Sequence, residues 1–369
     1  MGKKICHITS VHRRYDVRIF IKQCQSLAKN GYDVTLLVND EKNDETLEGV
    51  KIISTKYKPK NRIDRFIYSS KKMFNKAIEI DADIYQLHDP DLLPLGNKLK
   101  KLGKKVIFDS HEDVPQQIKD KQWIPKLFRN AISKFYESYE KNTVKQYDAV
   151  ISVTPHLVER FKKINLNASL VTNYPIVDKD EIIIKKSERA ICFAGGITEQ
   201  WSHHNILKAL KNIDNIKYIL AGSATNDYLK LLKEMPAWQS VEYKGVIPHQ
   251  EVKNVYLRSI AGMALNNSSQ AKGQGTLGNT KLFEFMEAKL PVICTDYLLW
   301  KEIINEYKCG ICVNPDNVAE IKEAIEYIIN NPKEAEQMGE NGRRAVLEKF
   351  NWGTQEKVLL EIYEVLSLD

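Results

Sequence analysis

The sequence predicts an α/β protein of two Rossmann-like domains whose parallel sheets face a central cleft. Three observations lead there. Short β-rich runs alternate with helical patterns in two successive series. A chain of 369 residues has the length for two ordinary domains. The candidate polar residues fall just after the predicted strands, where open parallel sheets bind their ligands.

In the first series the expected strands are Ile5–Thr9, Asp33–Val38, Lys51–Ser54, Asp83–Leu87, Lys105–Asp109 and Ala149–Val153. Between the first two, Val17, Phe20, Ile21, Cys24, Leu27 and Ala28 recur at helical spacing, with Gly31 following as a C-cap. After a linker at 173–178 the alternation restarts. Strands are expected at Ala190–Ala194, Lys217–Ala221, Ser240–Tyr243, Ile260–Leu265, Pro291–Thr295 and Gly310–Val313, and a last helix runs from about Thr354 to Leu366. The domains so drawn are 1–172 and 179–351, with 352–369 a helix returning to the first.

Hydrophobic residues at 43% and charged residues at 28% describe a globular chain with real cores. No apolar run reaches the ~20 residues of a membrane span. Lys3 to Ile8 passes straight into a strand without an apolar leader, so a cytoplasmic location is expected. Six cysteines lie mostly in apolar runs, and Cys309-Gly310-Ile311-Cys312 reads as a strand with two cysteines, since no second pair or nearby histidine completes a metal site. Charge is uneven: residues 1–172 hold 32 Lys and Arg against 21 Asp and Glu, the remainder 23 against 27. A basic first half points to an anionic surface or to simple solvation. With no recognisable nucleic-acid module, no nucleic-acid partner is expected.

The first strand ends in Ser10-Val11-His12-Arg13-Arg14-Tyr15-Asp16. No G-x-G-x-x-G is present, so the dinucleotide fingerprint is missing. Arg13, Arg14 and Asp16 either contact an acceptor or the donor diphosphate, or form a solvated helix start capped by Asp16. The fourth strand runs into His88-Asp89-Pro90-Asp91, and the fifth into Asp109-Ser110-His111-Glu112. Two histidines at adjacent strand ends make His88, Asp89, His111 and Glu112 candidates for the reacting site. Asp81-Ala82-Asp83 and Asp89-Pro90-Asp91 match a metal-chelating D-x-D pattern. The first pair is read as a helix-to-strand turn and Asp91 as the N-cap of the next helix, so no metal is expected.

In the second half, Gly195 and Gly196 follow a strand, where glycine lets backbone approach a phosphate. His203 lies just beyond. A Gly-rich stretch, Gly273 through Gly275, Thr276, Leu277 and Gly278, opens a helix bearing Lys281 and Glu284 one turn apart. Lys281 and the helix start suit a diphosphate, and Glu284 suits ribose hydroxyls; the alternative is a solvated ion pair.

With these residues in view, the chain resembles the retaining GT-B glycosyltransferases of family four, especially members that build bacterial capsule and surface polysaccharides. The matching segments are His88–Asp91, Phe108–Glu112, Asn173–Pro175, Ala194–Thr198, Asn279–Ile293, Leu299–Ile304 and Phe350–Trp352. The segment around Glu284 matches in residues and spacing alike. Two departures stand out. Thr276 replaces a glutamate eight positions before Glu284, and Glu199–His204 replaces the Arg and Lys that usually follow the Gly-Gly turn. Lys281 and His203 are the expected substitutes.

The resemblance implies the GT-B fold, and transfer with retention from a UDP- or GDP-type sugar donor to a saccharide or lipid-linked acceptor. It implies a metal-independent reaction and a last helix crossing back to the first domain. His111 and Glu112 take the catalytic region, Gly195, Gly196, His203, Gly275–Gly278, Lys281 and Glu284 the donor, and Arg13, Arg14, Asp16, His88 and Asp89 the acceptor side. Competing readings are a GT-B nucleotide-sugar epimerase, a phosphorylase, or a non-catalytic nucleotide-sugar-binding protein. Two stretches mix cations with large apolar residues, Tyr57–Phe74 and Lys119–Phe135, and predict peripheral attachment to an anionic inner membrane face.

Overall fold

A computed structural model of the protein describes residues 2–61, 64–121, 124–177, 188–267 and 274–368. Arg62, Trp123, Gly273, the side chain of Phe66 and the end of the expected linker lie outside the described residues. The chain forms two compact units, Met1–Asn173 with Trp352–Asp369, and Tyr174–Asn351.

The N-terminal unit holds eight strands: β1 (Lys4–Thr9), β2 (Asp33–Val38), β3 (Glu45–Leu47), β4 (Val50–Ser54), β5 (Ile84–Leu87), β6 (Lys105–Ser110), β7 (Ala149–Ser152) and β8 (Ala168–Leu170). Their order across the sheet is β3-β4-β2-β1-β5-β6-β7-β8. All pairs are parallel except β3 with β4. Helical crossovers cover both faces, which is why the central strands read as nearly continuous apolar runs. The order reverses between β1 and β5, so the crevice beyond their C-terminal ends is the place where such a sheet accepts a ligand.

Two expectations need adjusting here. The three-residue strands β3 and β8 are too short to show a period. The first crossover is not one regular α-helix: Val17–Cys24 winds as a π-helix before Gln25–Lys29 becomes α-helical. Arg18 and Gln23 stand five residues apart, the spacing of one i→i+5 turn, and both side chains reach the same carboxylate on β6. Asp16 caps this helix by accepting from the amides of Arg18 and Ile19.

The last helix, Trp352–Leu368, belongs to this unit although it follows the other in sequence. Trp352, Leu359, Tyr363 and Leu366 join a core with Ile5, Leu27, Val34 and Leu36. The Trp352 indole donates to Ser26 Oγ at 2.9 Å, and Gln355 Oε1 accepts from the Thr172 amide at 2.8 Å.

The C-terminal unit holds six parallel strands: β9 (Ala190–Ala194), β10 (Lys217–Ala221), β11 (Val241–Gly245), β12 (Ala261–Ala264), β13 (Val292–Thr295) and β14 (Gly310–Val313), ordered β11-β10-β9-β12-β13-β14. Here the order reverses between β9 and β12, directly below the Gly195-Gly196 turn. A side chain at Gly222, which has φ +139°, would collide with the Gly195 carbonyl, so glycine is required for the two turns to lie together. Gly262 on β12 likewise leaves room for the Phe285 ring of helix Lys281–Glu287.

Candidate functional site

In the N-terminal unit the ends of β1, β5 and β6 converge on one buried carboxylate. Asp109, the fifth residue of β6, is fully buried. Arg18 forks onto it, Nη2 to Oδ1 at 2.7 Å and Nε to Oδ2 at 3.2 Å, while Arg18 Nη1 donates to Val171 O. Gln23 Nε2 and Gln86 Nε2 also donate to Oδ2, at 2.8 and 3.2 Å. Burial alone would raise this carboxyl's pKa, but Arg18 foremost and the neighbouring histidines hold it well below the usual carboxylate range.

Around Asp109 stand three histidines. His88 Nδ1 and His111 Nε2 lie 3.3 and 3.5 Å from Oδ2, and 3.4 Å from each other. His7, on β1, meets His88 Nε2 through its Nδ1 at 2.9 Å. Burial pushes the pKa of His88 down and that of His7 far down, so both rings are neutral. His12 differs. Burial opposes its charge, yet the Asp16 and Asp89 carboxylates, at 3.5 and 3.4 Å, raise its pKa. Its ring centroid stands 5.0 Å from that of His111.

Several of these groups line a cavity of about 760 Å³. Its lining carries His12, His88, Asp89, Asp109, His111 and the exposed Glu112. The lining also includes Phe108, Ile118, Ile124, Ile132, Tyr136 and Tyr139. The Tyr136 hydroxyl is buried and has no hydrogen-bond partner among the described residues.

The sequence-derived acceptor residues therefore divide. His88, Asp89, His111 and Glu112 share the cavity. Asp89 is buried and accepts from Thr9 Oγ1 and the Ser10 amide, which ties the ends of β1 and β5 together. Arg13 is exposed. Arg14 is a correction: its guanidinium is buried and spent on Asp40 and Glu45, at 2.8 and 2.6 Å, so it clamps β2 and β3 rather than meeting a substrate. Asp16 is the helix cap, with His12 on its second oxygen. Asp91 is not an N-cap; it sits inside the short turn Pro90–Leu92 and accepts from Ser10 Oγ.

In the C-terminal unit, Lys281 reaches Glu284 at 2.8 Å, and its Cε lies 3.0 Å from where a Cβ on Gly195 would stand. Gly195, Lys281 and Glu284 are thus neighbours. Glu284 also accepts from Thr280 Oγ1 at 2.6 Å and from the Tyr256 hydroxyl at 2.9 Å. Burial opposes its charge, but Lys281 and the two hydroxyls hold its pKa below the ordinary value. The Gly195 amide donates to Ala221 O, so Gly195 contributes close approach while Gly196 is exposed and unobstructed. Gly275, at φ +82°, packs against Tyr297; Leu277 is buried in the core. Thr276 closes the turn, accepting from the Gly278 amide through Oγ1 and from the Trp300 indole through its carbonyl.

His203 is a second correction. Its side chain is fully buried, with Nδ1 on the Tyr218 hydroxyl at 2.8 Å, and burial pushes its pKa down to about 3. A neutral ring inside the core cannot serve as a cation for a diphosphate.

Sequence reasoning missed Arg18, Gln23, Gln86, His7 and Tyr363 around Asp109, and Tyr256 beside Glu284. Buried polar residues within otherwise apolar strand and helix runs were the available signal, most plainly His7 and Gln86 in β1 and β5. Among the described residues, His88, Asp109 and His111 form a compact trio of metal-ligand type, with ligand atoms within 4.8 Å of one another. The Arg18 fork already neutralises the charge of its carboxylate.

Comparison with known proteins supplies the context. Residues 17–181 match the family model described as Glycosyltransferase Family 4, and residues 177–345 that described as Glycosyl transferases group 1. An uncharacterized glycosyltransferase of Methanocaldococcus jannaschii is 24% identical over 296 residues, covering 72% of this chain and 79% of its own. A second from that organism is 25% identical over 187 residues, covering 49% of this chain but only 46% of its own length. Among solved structures, sucrose-phosphate synthase of Thermosynechococcus elongatus superposes with a TM-score of 0.77 at 16% identity, covering 99% of each chain. Anabaena HepE in complex with UDP-glucose gives 0.72 at 12% identity, covering 99% of this chain and 100% of that one. No helix among the described residues is long and apolar enough to cross a membrane.

Replacing Asp109 with Asn leaves the Arg18 guanidinium buried without its counter-charge. Denaturant titration at pH 7 is expected to show a loss of about 3–5 kcal/mol. Because the folded pKa is depressed, the wild-type contribution is full above the unfolded carboxyl value near ~4. It fades as pH falls through the folded value. Acid titration of the Asn variant should lack that component; equal stability of both proteins at pH 7 would contradict the hub.

Proposed function

Starting from a chain whose two halves both carry glycosyltransferase domains in a GT-B fold, we propose that it moves a sugar from a UDP- or GDP-type donor to a saccharide or lipid-linked acceptor, with retention and without a metal, in polysaccharide or glycoconjugate biosynthesis. The observation carrying this reading is the clustering of Lys281 and Glu284 against Gly195, beside the strand-order reversal of the C-terminal sheet. A diphosphate needs a close backbone and a cation, and Lys281 with the Gly195-Gly196 turn offers both. Glu284, its charge stabilised by Lys281 and two hydroxyls, can accept bonds from ribose hydroxyls. Anabaena HepE, with the same fold, was captured with UDP-glucose, which favours a nucleotide-sugar donor.

Departure of the nucleotide puts charge on its diphosphate, and a preorganised cation can stabilise that charge directly. The carboxylates of both D-x-D stretches are already engaged within the protein. Asp81 pairs with Lys104, Asp83 accepts from the Lys4 amide, and Asp89 and Asp91 are tied to Thr9, Ser10 and Arg65. The acceptor hydroxyl is placed in the cavity of the N-terminal unit, within reach of His111.

A lipid-linked acceptor is favoured by helix Lys126–Val144. Leu127, Phe128, Ile132 and Phe135 form an apolar stripe along it, 87%, 57%, 42% and 77% exposed, with the exposed cations Lys126 and Lys134 alongside. The same helix lends Ile132, Tyr136 and Tyr139 to the cavity. Ile67 and Tyr68, 58% and 63% exposed, precede Lys71 and Lys72 on a second helical stretch. Aromatic and aliphatic residues beside cations suit a helix lying in an anionic headgroup layer. Arg129 is not among these cations, since its guanidinium donates to the Ile124 and Lys119 carbonyls.

Lys281→Ala and Glu284→Ala are each expected to weaken binding of UDP or GDP by about 1–3 kcal/mol in calorimetric titrations. Unchanged affinity in both variants would remove the donor site from this position. Transfer assayed in excess EDTA should run at the same rate as in magnesium or manganese, and full dependence on added metal would refute the metal-free reaction. Flotation with anionic liposomes should carry the protein at low salt and release it at high salt. Failure to float at low salt would separate the basic half from any membrane role.

A further inference from the structure

A continuous hydrogen-bond path runs from the last helix, through β1 and the end of β5, to the candidate catalytic ring of His111 just after β6. Tyr363, fully buried, lies with its hydroxyl 2.7 Å from Gln86 Oε1 and 3.2 Å from His7 Nε2. His7 Nδ1 meets His88 Nε2 at 2.9 Å, and His88 Nδ1 meets His111 Nε2 at 3.4 Å. The His7 ring plane lies 20° from that of His88 and 18° from that of Tyr363.

The direction of every proton along this path follows from its anchor. Asp109 is ionised and can only accept, so the amide nitrogens of Gln23 and Gln86 must face it. That turns Gln86 Oε1 toward Tyr363, whose O–H donates along the shorter contact. The Tyr363 oxygen then accepts from His7 Nε2–H. His7 is neutral, so its Nδ1 bears a lone pair and accepts from His88 Nε2–H. His88 is neutral as well, so its Nδ1 lone pair, together with Asp109 Oδ2, faces a hydrogen on His111 Nε2. The remaining nitrogen of His111, Nδ1, is the one without a hydrogen. The opposite polarity, with Tyr363 donating to His7 and His88 Nδ1–H donating to Asp109, would strip Gln86 Oε1 of its donor. It would set the His88 Nδ1–H on Asp109 Oδ2, which already accepts from Arg18, Gln23 and Gln86, where the first polarity sets the His111 Nε2–H, so the loss at Gln86 Oε1 is what separates the two.

We propose that Tyr363 and His7 are positioning residues for His111. They lock the polarity of His88 and so hold His111 in the Nε2–H tautomer, with Nδ1 available to accept a hydrogen bond from a substrate hydroxyl. The last helix thereby contributes to the reacting site as well as to the core. This rests on the transferase reading only in assigning His111 a substrate hydroxyl; the tautomers themselves do not depend on it.

The test uses the full chain with ¹⁵N-labelled histidine, read by long-range nitrogen–proton NMR correlations, alongside steady-state transfer kinetics. In the wild type, His7, His88 and His111 are expected as Nε2–H tautomers. Tyr363→Phe, which keeps the ring but removes the oxygen, should turn His7 and His88 to Nδ1–H. It should cut kcat at least tenfold with KM changed less than twofold. Leu359→Ala loosens the same helix without touching the path, so it should lower Tm while leaving the tautomers unchanged. A wild-type His88 bearing its hydrogen on Nδ1, or a Tyr363→Phe variant with wild-type kcat, would overturn the proposal. Should no donor support transfer in the wild type, the transferase reading fails while the NMR arm still decides the tautomers.

Discussion

The ion pair between Arg18 and Asp109 is the constraint around which the N-terminal unit is arranged. A carboxylate at zero exposure is costly unless its charge is matched and its lone pairs are used. Here the guanidinium fork and two amide groups do both. Meeting that need fixes a turn of π-helix after β1, the orientation of Gln86 on β5, and a contact between Arg18 and the Val171 carbonyl after β8. The polar ends of four strands are thereby bound to one point. The histidines inherit their roles from that arrangement: burial lowers the pKa of His7 and His88, while at His12 the flanking carboxylates outweigh burial and raise it.

The C-terminal unit achieves its site by different means. Its polar cluster is small, and close backbone approach replaces a buried charge. Glycine at 222 admits the Gly195 carbonyl, and glycine at 195 admits the stem of Lys281. The cation then sits over a turn with no side chain to obstruct it, held by Glu284, which is in turn held by Thr280 and Tyr256. A partly exposed Lys–Glu pair of this kind contributes little to folding.

Much of this was legible in the chain. Parallel strands buried on both faces write themselves as apolar runs, so β2, β9 and β10 have the bounds the sequence predicts, as does the less buried edge strand β14. The polar residues after β5 and β6, and the pair Lys281 and Glu284, lie at strand-order reversals or beside them, as their positions after strands led one to expect. What failed was direction. Arg14 and His203 follow strands as a ligand-binding residue would, yet one turns onto Asp40 and Glu45 and the other into the core. Position along a chain does not reveal which way a loop side chain turns. The path from Tyr363 to His111 was illegible for another reason. Its members are separated by up to 356 residues, and only the return of the last helix brings them together.

The proposed function requires that this fold hold a nucleoside diphosphate without the help of a metal. Thermal unfolding of the full chain in EDTA, with and without UDP or GDP, tests it most directly. A ligand present at 100 times its dissociation constant stabilises the folded state by about 2.7 kcal/mol. The account predicts a clear rise in Tm with at least one of the two nucleotides in EDTA. No rise with either, or a rise that appears only when magnesium or manganese is restored, would contradict it.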